Sequence, residues 1–337
     1  MEVYWPIFRG KQFELLALRE SAPKLSDSSI HPVIEPVKRK LGALQRCTET
    51  LADNSVPYSV VVNPLVGEYS TDHLAFIRDY EELLQEVESS SPLCGASHSF
   101  VLNLSANLRY PEAEELISYL AETREKLGSV QVHLLARGFS DPQAVKALLE
   151  EYSFPTGRGL CVLLEDGPAR RHFQPVFPEA AFILIRDGFE KRKNADYEKF
   201  STEIFDTAAW DFSEQKCHGF GDYSIVGKEF SESGGPAWAV AIHLTYVAEN
   251  PVEAMYVNHY VSNDNDSPAF PAEKYLQALE KLSREATQSE TEIPKTAAVE
   301  EFLRLRDNGH FPGLGYVKKL SMIHHLEVVV KVLEDNA

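Results

Sequence analysis

Cys161-Val162-Leu163-Leu164 runs into Glu165-Asp166, and Phe182-Ile183-Leu184-Ile185 runs into Arg186-Asp187. Each is an apolar run that stops on charge, too short for a helix and without the alternation of a strand that has one wet face. Such a run reads as a parallel strand covered on both faces. The pattern recurs upstream: Tyr4-Trp5-Pro6-Ile7-Phe8 stops at Arg9, Pro32-Val33-Ile34 at Glu35, and Tyr58-Ser59-Val60-Val61-Val62 at Asn63. Phe100-Val101-Leu102 stops at Asn103, and Val132-His133-Leu134-Leu135 leads to Arg137. The eighth run is Gly219-Phe220-Gly221-Asp222-Tyr223-Ser224-Ile225.

Between these runs lie segments with helical spacing. Leu41, Leu44 and Leu51 follow the second run, and Leu74, Ile77 and Leu84 the third. Pro111 and Pro142 stand where a first helical turn tolerates proline. Every run but the sixth is followed by a credible helix; residues 167–179 are too rich in proline for a long one. Eight strands alternating with helices predict an α/β fold, a (β/α)8 barrel, with an open doubly wound sheet as the alternative because periodicity does not give strand order. After the eighth run Gly234-Gly235-Pro236 precedes residues 238–246, and Asn250-Pro251 separates these from residues 255–261, which predicts an added antiparallel hairpin. Helices are expected over 272–286, 297–307 and 315–334. The domain reading is a barrel with its hairpin over 1–270 and a helical extension over 271–337 packed on it. The apolar row Leu326, Val329, Val330 and Leu333 is the candidate surface for a protein partner.

With 44% hydrophobic and 10% aromatic residues, the 337-residue chain can build a large core. Lys+Arg at 33 against Asp+Glu at 51 gives a net charge of −18, which opposes nonspecific attraction to phosphate backbones. Direct nucleic-acid binding is therefore not expected unless Arg158, Arg170, Arg171, His172, Lys191, Arg192 and Lys193 form one basic surface. No stretch approaches a membrane span, and Arg9, Lys11 and Glu14 interrupt any signal-peptide pattern, so the expectation is a soluble, cytosolic protein. Cys47, Cys94, Cys161 and Cys217 form no Cys-x-x-Cys pair and predict neither a disulfide nor a zinc site.

Three stretches together carry a resemblance. Residues 4–20, Tyr-Trp-Pro-Ile-Phe-Arg-Gly-Lys-Gln-Phe-Glu-Leu-Leu-Ala-Leu-Arg-Glu, resemble the start of the phage Beta-protein family and its bacterial relatives. Ile30-His31-Pro32-Val33-Ile34-Glu35-Pro36 is similar to that family's next strand, and Gly219-Phe220-Gly221-Asp222-Tyr223-Ser224 with Ala239-Val240-Ala241-Ile242-His243 completes the likeness. Bacterial members are often encoded beside a small restriction-endonuclease-like protein. The resemblance thus implies a bacterial or phage-borne defence or conflict system, in which this chain is a recognition or regulatory partner of the nuclease-like protein. It carries over no active site.

If the barrel forms, Arg9, Glu35, Asn63, Asn103, Arg137, Glu165 and Asp187 converge at the mouth where barrel enzymes keep their chemistry, joined by Asp222. Carboxylates facing a low-dielectric mouth bind a divalent cation or raise one another's pKa. Glu35, Glu165, Asp187 and Asp222 are therefore the candidate catalytic acids and the candidate metal ligands of the rival reading, a metal-assisted hydrolase or phosphodiesterase; as ordinary acids they would instead cap helices or pair with Arg137 and Arg186. On the site reading, Glu35→Ala or Asp222→Ala abolishes activity and leaves stability within about 1 kcal/mol. Arg9 and Lys11 are candidate anion ligands, or Lys11 pairs with Glu14. Tyr223 is a candidate ligand contact or a packing residue. Gly219-x-Gly221 lacks the third glycine of a dinucleotide fingerprint and reads as a place of close backbone approach. His243 faces His259 on the expected hairpin and is a candidate ligand contact, whereas His324-His325 fits no metal-binding spacing.

Overall fold

The computed structural model describes residues 2–335 except 27, 91–97, 128–129, 168, 233–234, 236 and 250, and only the backbone of 85–90, 98 and 169. Cys94, Gly234, Pro236 and Asn250 thus lie outside the described residues. The chain divides into two compact units, the first made of residues 1–15, 25–186 and 211–222 and the second of 16–24, 187–210 and 223–337.

The first unit holds an eight-stranded parallel sheet. Its strands are β1 (Ile7–Arg9), β2 (Val33–Glu35), β3 (Tyr58–Val61), β4 (His98–Ser105), β5 (Gln131–Arg137), β6 (Cys161–Glu165), β7 (Ala181–Ile185) and β9 (Gly219–Gly221), paired in that order. Helices α1 (Gln12–Leu25), α2 (Gly42–Asp53), α3 (Ala75–Ser90), α4 (Tyr110–Leu127), α5 (Pro142–Glu151) and the short α6 (Ala169–Val176) supply the crossovers. Residues 3–7 bridge the two edges: Trp5 N–H donates to Phe220 O at 2.8 Å, Phe220 N–H to Val3 O at 2.8 Å and Ile7 N–H to Asp222 O at 2.8 Å. The sheet is consequently the expected (β/α)8-like barrel and not the open doubly wound alternative. Leu134, Leu135, Leu163 and Leu164 have no exposed surface although they point alternately to opposite faces. Full burial of such side chains contributes about 1.5–3 kcal/mol each.

At the other end of the strands Trp5 stacks on His31 with ring centres 3.8 Å apart, and His133 meets Trp5 edge-on. Cys161 N–H donates to His133 Nδ1 at 3.1 Å, a bond that an imidazolium cannot accept. Burial pushes His133 down to about 4. Between that value and the ordinary histidine range near 6.5 the unfolded chain binds a proton that the fold refuses. The stability due to this ring is complete above about pH 6.5 and falls by on the order of 1 kcal/mol per pH unit as pH drops toward 4. Denaturant midpoints measured across that window should show this slope, and His133→Gln should flatten it by one proton; an unchanged slope would remove His133 from the account.

The second unit is built on a three-stranded antiparallel sheet in the order β10 (Ala241–Ala248), β11 (Ala254–Val261), β8 (Thr202–Asp206). Helices α8 (Pro271–Ala286), α9 (Ala297–Asp307) and α10 (Leu314–Asp335) complete it, α10 packing on β10 and α9. The expected hairpin is present. Three expectations are corrected. The link after β7 contains a 3-10 segment (Asn194–Phe200), strand β8 and the four-residue helix α7 (Ala208–Asp211) in place of a long crossover helix. The boundary expected at residue 270 falls inside this unit, because the hairpin's strands pack against α8 and α10. Leu326 and Val329, offered as a partner surface, are fully buried core residues, while Val330 and Leu333 are half-buried. No helix among the described residues is long and apolar enough to cross a membrane.

Candidate functional site

Parallel strands bring their carboxyl ends to one rim, so Arg9 ends β1, Glu35 ends β2, Arg137 ends β5 and Glu165 ends β6. These four side chains form one network. Glu35, with no exposed surface, accepts from Arg9 Nη1 and, at 3.2 Å, from Arg137 Nη1 on Oε2, while Oε1 accepts the Leu65 N–H at 3.0 Å. Arg137 Nε donates to Glu165 Oε1 at 2.8 Å, so one guanidinium joins two carboxylates. Burial by itself would raise the Glu35 pKa; the Arg137 and Arg9 guanidiniums and the Leu65 N–H outweigh it and hold the carboxyl below the usual range. The rim thus keeps an ionised acid in a dry place by surrounding it with donors.

Glu14 Oε2 accepts the Arg9 N–H at 2.5 Å. Lys11 begins the helical turn, donating its N–H to Arg9 O at 2.8 Å and accepting from Leu15 N–H at 2.9 Å. Arg186 Nη1 donates to both oxygens of Asp211 at 3.0 Å.

Asn63 and Asn103 meet, with unequal roles. Asn63 Oδ1 accepts the Asn103 N–H at 2.7 Å and Asn63 Nδ2 donates to Asn103 O at 2.8 Å, so Asn63 continues the β3–β4 ladder with its side chain. The Asn103 carboxamide is fully buried, and neither its oxygen nor its nitrogen has a hydrogen-bond partner among the described residues. Ser105 is in register with Arg137 and Asn103 with Leu135. Because side chains alternate along a strand, Asn103 projects to the same face as Ser105, one layer below the Arg137 network.

Of the four acids Glu35, Glu165, Asp187 and Asp222, Glu35 and Glu165 are joined through Arg137. Asp222 is used at the barrel seam, accepting the Tyr4 hydroxyl on Oδ1 at 2.9 Å and Oδ2 at 3.0 Å. Asp187 belongs to the second unit and accepts the Lys228 N–H at 3.1 Å. Among the described residues no group of three or more His, Cys, Asp or Glu is arranged to hold a metal ion. The donors that these carboxylates meet are Arg9 and Arg137 for Glu35, Arg137 for Glu165, the Tyr4 hydroxyl for Asp222 and the Lys228 N–H for Asp187.

Tyr223 and His243 also lie in the second unit, Tyr223 buried and His243 with Nδ1 2.6 Å from His259 Nδ1. His324 and His325 are core residues bonded to Thr296, Thr245 and the Thr245 carbonyl. Sequence reasoning missed Tyr4 as the partner of Asp222 and Glu203 as the partner of His259. A tyrosine inside an otherwise apolar first run was the available signal for the former. No protein-family model matches this chain, and no curated protein matches it either.

Proposed function

We propose that this chain is a recognition or regulatory component of a bacterial or phage-borne defence system, working with a nuclease-like protein, and that its barrel mouth reads a small polar ligand. The Asn103 carboxamide carries the ligand part of this reading. A buried amide left without partners costs about 1–3 kcal/mol, and a group retained at that cost beneath a charged rim is suited to meeting a ligand. The Arg9–Glu35–Arg137–Glu165 network supports recognition over hydrolysis, since Glu35 is held ionised and both acids are paired with arginine. The defence role rests on the family resemblance of residues 4–20, 30–36 and 219–243.

The test is Asn103→Leu, which keeps the size and removes the two polar atoms. With a purely structural role this variant is as active as the parent. On the present reading its denaturant midpoint stays level or rises, because an unsatisfied polar group is gone. Cells expressing it with the nuclease-like protein encoded beside it should then lose resistance to phage. Full resistance with the variant chain would sink the proposal.

A further inference from the structure

Within the second unit lies a cavity of about 870 Å3 whose lining includes Trp238, His243, Val317 and the cations Arg192, Lys193 and Lys318. Trp238 is 53% exposed, yet its backbone is anchored: Trp238 O accepts from the buried Lys274 Nζ at 2.8 Å. Three cations on one cavity stand out in a chain of net charge −18. The cavity also takes in Leu314 and Gly315, the first residues of the 22-residue helix α10, whose N–H groups and dipole favour an anion.

A hydrogen-bond chain fixes what His243 presents there. Glu203 Oε1 accepts from Arg192 Nη1 at 2.6 Å and lies 3.1 Å from His259 Nε2. A carboxylate only accepts, so the His259 proton is on Nε2. Burial lowers the His259 pKa against the pull of Glu203, and the neutral ring has its lone pair on Nδ1. His243 Nδ1, at 2.6 Å, must therefore be the donor, which leaves His243 Nε2 as an acceptor. His243 is only 7% exposed, and the described residues make no hydrogen bond to that nitrogen. Burial, then His259 and Lys318, hold the ring well below its ordinary pKa. It stays neutral, and so suits accepting a hydrogen bond better than removing a proton.

We infer that this cavity binds a nucleoside monophosphate, with the base on the Trp238 indole, the phosphate against Lys193 and Lys318 beside the start of α10, and an N–H or O–H donating to His243 Nε2. The volume fits within the range of small-molecule sites, roughly 300–1,000 Å3, and leaves a single small aromatic acid loosely held. An exposed indole is a stacking surface for any base, and ammonium groups supply the charge that a phosphate needs. This inference does not rest on the role proposed for the barrel mouth.

The full chain is titrated with AMP, GMP, CMP and UMP, followed by tryptophan fluorescence and calorimetry. At least one nucleotide should bind saturably and change the fluorescence, and Trp238→Leu should abolish the change. Lys193→Glu with Lys318→Glu, both on exposed residues, should raise Kd about tenfold or more. His243→Leu should also weaken binding, and nitrogen NMR of the parent should show an unprotonated His243 Nε2. No binding of any of the four at low millimolar concentration would overturn the proposal, as would affinity indifferent to the two lysines or binding of 4-hydroxybenzoate without any nucleotide. A protonated Nε2 in the free protein would overturn the role given to His243.

Discussion

Glu35→Ala should lower the stability of this protein by about 3–5 kcal/mol, the largest effect expected at the barrel mouth. Removing the carboxylate leaves the guanidinium groups of Arg9 and Arg137, whose side chains are each 8% exposed, and the Leu65 N–H without their shared acceptor. The cost is that of stranded charge, far above the worth of a surface pair. Urea midpoints of the parent and variant measure it, and added salt should change the difference little because the pair is out of the solvent. Glu35→Gln should fall between the two, since its amide oxygen can still accept from Leu65. This reverses the sequence expectation that Glu35 could be removed with the fold intact. A parent-like midpoint for Glu35→Ala would show that the network bears little on stability and would reopen Glu35 as a purely functional acid.

The second large effect is expected from Gly221→Ala. A Cβ at Gly221 would stand 2.0 Å from Trp5 O and 2.8 Å from an Ile185 methyl, and one at Gly219 would stand 2.3 Å from Val3 O. The obstructing atoms are backbone carbonyls of the segment that closes the barrel, so they cannot rotate away. Relief requires β9 and residues 3–7 to part, which puts the Trp5, Phe220 and Ile7 backbone bonds at risk. Overpacking commonly costs about 1–3 kcal/mol, and here the upper end or beyond is expected. Gly235→Ala is the control: a Cβ there meets nothing within 4 Å, and a change of less than about 0.5 kcal/mol is expected. Thermal unfolding of both variants decides the matter. Equal melting temperatures would mean that the seam yields, contrary to this account.

The barrel was legible because buried parallel strands leave uninterrupted apolar runs, as in Cys161–Glu165 and Ala181–Ile185, and each run ends where the strand does. Gly219 and Gly221 were legible as sites of close approach, although not what approaches them. Strand β8 was not. Its residues Thr202, Glu203 and Ile204 are partly or fully exposed, and its partner β11 lies some fifty residues later, so neither an apolar run nor a local turn marks it. At the mouth, the charged strand ends could be read but not their pairing. That one arginine, Arg137, serves Glu35 and Glu165 depends on the distance across the barrel, which periodicity does not encode. The fate of Asp222 likewise hung on Tyr4, 218 positions away. The apolar excess of α10 implied a covered helix, while the identity of the cover, β10 and α9, required the fold.

The seam that joins residues 3–7 to β9 also sets a schedule for synthesis. Tyr4 leaves the ribosome before Asp222 and must wait for it, 218 residues behind, before the first edge of the sheet finds its neighbour. At bacterial and eukaryotic elongation speeds of about 5–20 residues per second the wait is roughly ten to forty seconds. Throughout that interval the nascent chain presents a raw strand edge, the kind of surface that neighbouring chains on a polysome can pair with. Slower codons before residue 219 would lengthen the exposure, and holdase chaperones that shield the amino-terminal strand should raise the soluble yield.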